Sequence, residues 1–189
     1  MDSKLQIISG RFRGKKLNLP PKARPTQNLA RGALFNMLNN LIDLRQPVTV
    51  WDVFAGSGAF GIECLSRYEN ANVIFTDNAN SSIETITKNL KSIGAIATIE
   101  KTDALSVVAR FGVVADLIFV DAPYSDFDLG VKFIEKLTSV AKSGAILIWE
   151  FEKIQNLPAI GEKSILGDKW EMLRDKTYGR ARFVILRRI

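Results

Sequence analysis

Short apolar runs alternate with stretches of helical period along most of this chain. Residues 48–54 (VTVWDVF), 73–77, 117–120 with their flanks (ADLIFVD) and 145–150 (AILIWE) are β-branched and nearly all apolar. Parallel strands covered on both faces read this way. A weaker strand is predicted around residues 97–101. Residues 81–93 place Ile83, Ile86, Leu90 and Ile93 at helical spacing, with Gly94 as a C-terminal stop. Residues 128–140 repeat the pattern with Leu129, Phe133, Ile134 and Leu137, and Gly144 is the expected stop. This βαβ alternation predicts an α/β fold with a doubly wound, mostly parallel sheet.

The two ends depart from the alternation. Residues 5–19 hold Ser9-Gly10 and Arg13-Gly14 between short apolar pieces, which predicts a hairpin-like arm. Residues 29–44 predict a helix with Leu34, Phe35, Leu38, Leu41 and Ile42 apolar, and Thr26, following Pro25, as its N-cap. Residues 169–174 and 182–187 predict two strands joined by Thr177-Tyr178-Gly179-Arg180. The expected division is a basic N-terminal arm, residues 1–25, and one α/β domain, residues 26–189.

Charge follows that division. Of the net +6, residues 1–24 hold seven basic side chains against one acid, and residues 174–189 hold six against one, so the body between is mildly acidic. Positive ends on an acidic body suit a polyanionic partner. Arg11, Arg13, Lys15, Lys16, Arg24 and Arg31 are the candidate contacts for such a polyanion. The chain has no histidine and one cysteine, Cys64. Histidine-based nucleophile pairs, histidine acid–base catalysis and zinc sites built on His or several Cys are therefore excluded, and no metal is expected. Cys64, Trp51 and Trp149 are expected in the core. The first sixteen residues lack an apolar run before a small-residue cleavage site, and no apolar run reaches the roughly 18 residues of a membrane span. With one thiol, a cytoplasmic location is the expectation.

The chemistry concentrates in two places. Asp52-Val53-Phe54-Ala55-Gly56-Ser57-Gly58-Ala59-Phe60-Gly61 follows a predicted strand and opens a predicted helix, and Gly56, Gly58 and Gly61 fit G-x-G-x-x-G. Glycines at such a turn permit positive φ and close approach of a ligand to the backbone. Asp77, at the end of the next strand, can accept from both hydroxyls of a ribose. These features alone admit a nicotinamide cofactor or S-adenosylmethionine. Asp52 inside the turn favours the second, because a carboxylate suits an ammonium and repels a pyrophosphate. Asp103, after the third strand, can reach an adenine amino group. The fourth strand ends in Asp121-Ala122-Pro123-Tyr124, similar to the (D/N)-P-P-(F/Y) motif of amino-group methyltransferases. The Asp121 carboxylate and the Ala122 carbonyl can accept the two hydrogens of an exocyclic amine, freeing its lone pair, while Tyr124 offers a face for the base.

With these residues, the chain resembles the RsmD family, which methylates a guanine amino group in 16S ribosomal RNA. Residues 7–17 (IISGRFRGKKL) resemble the family's N-terminal R-I-I-x-G-x-x-R-G-x-x-L. Arg24-Pro25-Thr26, Arg31 and Leu34-Phe35-Asn36 resemble its R-P-T…R-x-x-L-F-N, and residues 52–61 its D-x-F-A-G-S-G-x-x-G loop. Asn89-Leu90 and Tyr178-Gly179 fit further family positions. The resemblance implies a Rossmann-like class I fold with a seven-stranded sheet and an antiparallel last strand. It implies S-adenosylmethionine held by Asp52, Phe54, Gly56, Ser57, Gly58, Gly61, Asp77 and Asp103, and a target guanine at Asp121, Ala122, Pro123 and Tyr124. It implies 16S ribosomal RNA in small-subunit particles as partner, and a monomer is expected. Three departures stand out: Ala122 in place of proline, Asn28 and Leu29 in place of more polar residues, and Gly32, which weakens its helix by about 1 kcal/mol relative to alanine. Adenine-amino DNA methylation and a non-catalytic RNA-binding assembly role are the alternatives. A nicotinamide oxidoreductase would need a proton donor such as a Tyr-x-x-x-Lys pair, which is missing.

Overall fold

Because both faces of the central strands are apolar, each strand can divide its side chains between two cores. Val50, Leu117, Phe119, Ile146, Ile148, Phe183 and Ile185 point to one core; Trp51, Val53, Ile118, Val120, Leu147, Trp149, Val184 and Leu186 point to the other. A computed structural model of the protein describes residues 5–21, 28–39, 41–43, 46–153 and 167–189. Its elements run α1 (Asn28–Leu38), β1 (Val48–Asp52), α2 (Ala59–Arg67), β2 (Ala71–Asp77), α3 (Asn80–Ile93), β3 (Thr98–Lys101), α4 (Val108–Gly112), β4 (Leu117–Asp121), α5 (Phe127–Val140), β5 (Ile146–Glu152), β6 (Trp170–Tyr178) and β7 (Ala181–Arg188).

The sheet has seven strands in the order β3-β2-β1-β4-β5-β7-β6. Strands β1 to β5 are parallel, and β7 lies antiparallel between β5 and β6. The expected class I architecture is present, antiparallel last strand included. The order reverses between β1 and β4, the crevice where open α/β sheets bind ligands. Among the described residues no helix is long and apolar enough to cross a membrane, and no group of side chains is placed to hold a metal.

Most element expectations hold within a few residues. Gly94 caps α3 at φ 66°, donating its N–H to the Leu90 and Lys91 carbonyls. Four boundaries differ. The strand β6 runs on to Tyr178, so Thr177 and Tyr178, expected in the connecting turn, belong to the ladder. The first helix ends at Leu38, not near 44: the Leu41 and Ile42 N–H groups both turn back to the Leu38 carbonyl, closing the helix while both side chains still pack on the core. Ala141, in extended conformation, ends α5, so Gly144 serves the following turn. The first strand stops at Asp52, where the glycine turn begins. The short α4 has no counterpart in the sequence pattern. Thr26, Pro25 and Leu44 lie outside the described residues.

The N-terminal segment is hairpin-like, as expected. Gln6 and Lys16 form an antiparallel bridge, and Leu17 N–H donates to the Leu5 carbonyl at 2.9 Å. Its apolar residues Leu5, Ile7 and Leu17 are buried in the same core as Leu34 and Phe35 of α1. The tip lies on the end of α2: Arg11 N–H donates to the Ser66 carbonyl at 2.8 Å, and the Ser66 hydroxyl donates to the Ser9 carbonyl at 2.6 Å. A Cβ on Gly10, whose φ is +83°, would lie 1.9 Å from the Ser66 carbonyl oxygen, so only glycine permits this approach.

Candidate active site

The turn after β1 is built by its glycines and fixed by its carboxylates. Gly56 and Gly58 have φ of 54° and 74°, in the left-handed region. Gly61 serves a different end: a Cβ there would fall 2.3 Å from the Phe75 ring, so its hydrogen lets α2 lie against β2. Asp52 is buried, and its Oδ2 accepts from the Gly61 N–H at 3.0 Å, satisfying one of the open donors at the start of α2. Asp77 accepts the Gly56 N–H on Oδ2 and the Ala79 N–H on Oδ1, each at 2.9 Å. Each oxygen keeps a second lone pair for a ligand. The Asn89 carboxamide donates to the carbonyls of Ser57 and Asn18 and accepts the Asn18 N–H, tying the loop, α3 and the end of the N-terminal hairpin together.

On the other side of the crevice, β4 ends at Asp121, which pairs in register with Glu150 of β5. Ala122 is buried, Pro123 is exposed and Tyr124 is partly buried. The Tyr124 hydroxyl donates to Glu150 Oε1 at 3.1 Å. Glu150 itself is 2% exposed, and its Oε2 has no partner. Between the two sides lies a cleft walled by Phe54–Ser57 and Phe60, by Asp52, Asp121 and Glu150, by Phe183 of β7, and by Leu5, Leu19, Arg31 and Leu34. Thus the hairpin and α1 close a cavity whose floor is the sheet.

Three carboxyl groups face this cleft together with one guanidinium. Burial pushes the Asp52 carboxyl well above the usual carboxylate range; the Gly61 N–H opposes the rise, and the charges of Asp121 and Asp77 add to it. Burial raises Asp121 to about 7. Glu150 is also pushed well above its ordinary value, by burial first and by Asp121 second, with the Tyr124 hydrogen bond opposing. Burial and then the Glu150 charge raise the Tyr124 phenol. A pocket so rich in buried carboxyls is short of positive charge.

The expected site residues do not all meet here. Asp52, Phe54, Gly56, Ser57 and Asp121 line the cleft. Gly58, Gly61 and Asp77 shape its loop. Asp103 is exposed beyond β3 and does not line it; its Oδ1 caps a short 3-10 turn through the Leu105 N–H at 3.3 Å. Arg11, Arg13, Lys15 and Lys16 are exposed on the hairpin. Arg24 lies outside the described residues. Arg31 is not among the surface cations: it is 2% exposed, 3.7 Å from Glu63, and donates to the Gln6 carbonyl and Asn28. Its Nε and Nη1 have no hydrogen-bond partner, and it faces the cleft.

Two residues at or near the cleft escaped the sequence reading. Glu150 walls it, as does Arg31. Glu63, fully buried, accepts from the Ile8 and Ser9 N–H groups at 2.8 and 2.9 Å and from Arg67 at 2.7 Å. Three of the six C-terminal cations counted as part of a positive end are paired with acids: Arg180 with Glu152, Arg182 with Asp175 and Arg187 with Glu171.

Comparison with known proteins places this geometry. Residues 5–187 match the family described as "Conserved hypothetical protein 95". The ribosomal RNA small subunit methyltransferase D of Escherichia coli K12 is 33% identical over 190 residues, covering 97% of this chain and 90% of its own. Among solved structures, yhhF from Escherichia coli superposes with a TM-score of 0.81 at 29% identity, covering 97% of each chain. The magnesium protoporphyrin IX methyltransferase of Synechocystis, solved with bound S-adenosylmethionine, shares the fold at a TM-score of 0.62 and 18% identity, over 88% of this chain and 87% of that one. From the hairpin to the last strand, this chain belongs to the RsmD family, that of ribosomal RNA small subunit methyltransferase D.

Proposed function

We propose that the protein transfers a methyl group from S-adenosylmethionine to the exocyclic N2 of a guanine in 16S ribosomal RNA of the small subunit. The observation that carries this reading is the lining of the cleft: two buried carboxyls, Asp52 and Glu150, the half-buried Asp121, and one guanidinium. S-adenosylmethionine brings two positive centres, sulfonium and ammonium, and one carboxylate. The donor set fits it, whereas the pyrophosphate of a dinucleotide would meet Asp52 at the turn. Family membership and the name of the Escherichia coli relative support ribosomal RNA as the substrate. The setting of such a substrate is the cytoplasm.

Asp52 would take the ammonium, the loop of Phe54, Gly56, Ser57, Gly58 and Gly61 would cradle the cofactor, Asp77 would accept from its ribose hydroxyls, and Asp103 would lie on the adenine side. When bound, the cofactor supplies an electrophilic methyl group. The chain's own part is to orient the amine. Asp121 and the Ala122 carbonyl accept its hydrogens, so the lone pair localises on nitrogen and points at the methyl carbon. Pro123 stiffens the turn, and Tyr124, tethered through Glu150, offers its ring to the base. A base in a duplex would have to leave its stack to enter.

Two outcomes test the ends of this proposal. Calorimetry is expected to show S-adenosylmethionine binding and no measurable NAD affinity. Asp77→Ala is expected to weaken cofactor binding about 10-fold or more, since it removes the ribose acceptor and frees the Gly56 and Ala79 N–H groups; tight NAD binding would overturn the assignment. Phosphate contact is proposed for Arg11, Arg13, Lys15 and Lys16. Because Leu5, Ile7 and Leu17 belong to the core, removing the whole segment would damage the fold, so charge is better tested alone. Arg13→Ala with Lys15→Ala is expected to weaken RNA binding with cofactor affinity unchanged. The slope of log affinity against log salt should fall by about 1 for each phosphate no longer neutralised. An unchanged slope would show that these charges are incidental.

A further inference from the structure

Asp121 has a neighbour that no motif predicts. Glu150 stands beside it, in register, on the adjacent parallel strand, and both line the same cleft. Glu150 is spoken for on one oxygen only: Oε1 accepts from Tyr124, while Oε2 is buried with no donor. A buried carboxylate oxygen without a donor is costly, so the side chain must hold a proton or meet one brought by a ligand. We propose that Glu150 and Asp121 form a carboxyl pair that carries one proton between them, and that this pair receives the proton shed by the amine on methylation, with Glu150 positioning Tyr124 at the same time.

The proposal rests on the reading of the cleft as an amino-methylation site, and its chemistry balances. The amine lone pair forms the new nitrogen–carbon bond while the carbon–sulfur bond breaks onto sulfur. Nitrogen then carries a positive charge and an acidic N–H. That proton passes to the nearest base, Asp121, and the pair changes from one shared proton to two. Solvent can recover the second proton once product leaves.

The electrostatics agree with the geometry. Burial raises both carboxyls, Asp121 to about 7 and Glu150 well above its ordinary value, and the pair is therefore a base poised for neutral pH. Among the described residues, the groups facing it add no cation in contact. From β4 and its loop come Asp121 and Tyr124, from β7 comes the neutral Phe183, and from the end of β1 comes Asp52. Farther along β5, Glu152 is paired with Arg180, and across the cleft Arg31 is held beside Glu63.

Glu150→Gln separates the roles. The amide keeps the volume and an oxygen for the Tyr124 hydroxyl but takes no proton. At pH 8 the infrared difference between unliganded wild type and variant should contain one lost band from a protonated carboxylic acid, which needs neither cofactor nor RNA. In single turnover on small-subunit particles the variant should transfer methyl groups about 10²-fold more slowly, with cofactor affinity and KM for the particle unchanged. The wild-type rate should fall as pH drops through about 7, as the pair becomes fully protonated before the reaction. Loss of no acid band, or a variant rate and pH profile equal to wild type, would overturn the proposal. A wild-type protein that methylates no ribosomal RNA would instead overturn the functional reading, and the infrared result would still report on the pair.

Discussion

Asp121→Ala is expected to slow single-turnover methylation of small-subunit particles by about 10²–10³-fold while leaving S-adenosylmethionine affinity nearly intact. The two effects part because Asp121 stands at the end of β4, across the crevice from the glycine loop that would hold the cofactor. The carboxylate acts where the amine changes shape, and loss of one preorganised polar group at that place has this magnitude. Asp121→Asn should be milder than Asp121→Ala but still slow, since an amide oxygen accepts from the amine yet takes no proton from it. Ala122→Pro should be neutral or slightly faster, because it stiffens the turn without removing the carbonyl. The measurement is quench-flow transfer of a labelled methyl group by the three variants. A wild-type rate for Asp121→Ala would show that the amine is held elsewhere.

Glu63→Ala is expected to destabilise the protein by about 3–5 kcal/mol, a fall in Tm on the order of 10 °C for a domain of this size. Glu63 is the only buried acid beside Arg31 among the described ion pairs, and it also accepts from Arg67 and from two N–H groups of the hairpin. Its removal leaves a buried guanidinium without a counter-charge. Burial already lowers the pKa of Arg31, with Glu63 opposing that shift. Hydrogen exchange adds a local readout: the Ile8 and Ser9 amides should lose protection first. Full stability with both amides still protected would mean that Arg31 finds another partner.

The fold was legible in the sequence because its physical causes are local. A strand buried on both faces must be apolar throughout, and a glycine turn between strand and helix leaves few alternatives, so β1, β2, β4, β5 and the loop at residues 52–61 could be read directly. The helix of residues 29–44 was overdrawn because Leu41 and Ile42 are apolar at helical spacing and do pack on the core, though after the helix has closed. What escaped depends on partners far away in sequence. Glu63 and Glu150 each stand between apolar residues (FGIECL and ILIWEF), and that interruption was the available signal. Their meaning lay 55 residues off at Ile8 and 26 residues off at Tyr124. Charge counting at the C-terminus is blind for the same reason: it does not see that Asp175, Glu171 and Glu152 sit across from three of the arginines. The hairpin pattern of the last two strands likewise does not say which arm meets β5.

That last detail bears on how the protein matures during synthesis. The ribosome releases β1 to β5 first, leaving a five-stranded half-sheet with the edge of β5 bare, and an open apolar edge invites pairing with other chains. The later-made β6 cannot cover it, because in the sheet β6 pairs with β7 alone. Cover comes with residues 181–188, which pair with β5 from Ile146 to Glu152 and bring Phe183 to the wall of the cleft. A nascent chain therefore keeps an exposed edge, and an unfinished pocket, until residues 181–188 have emerged.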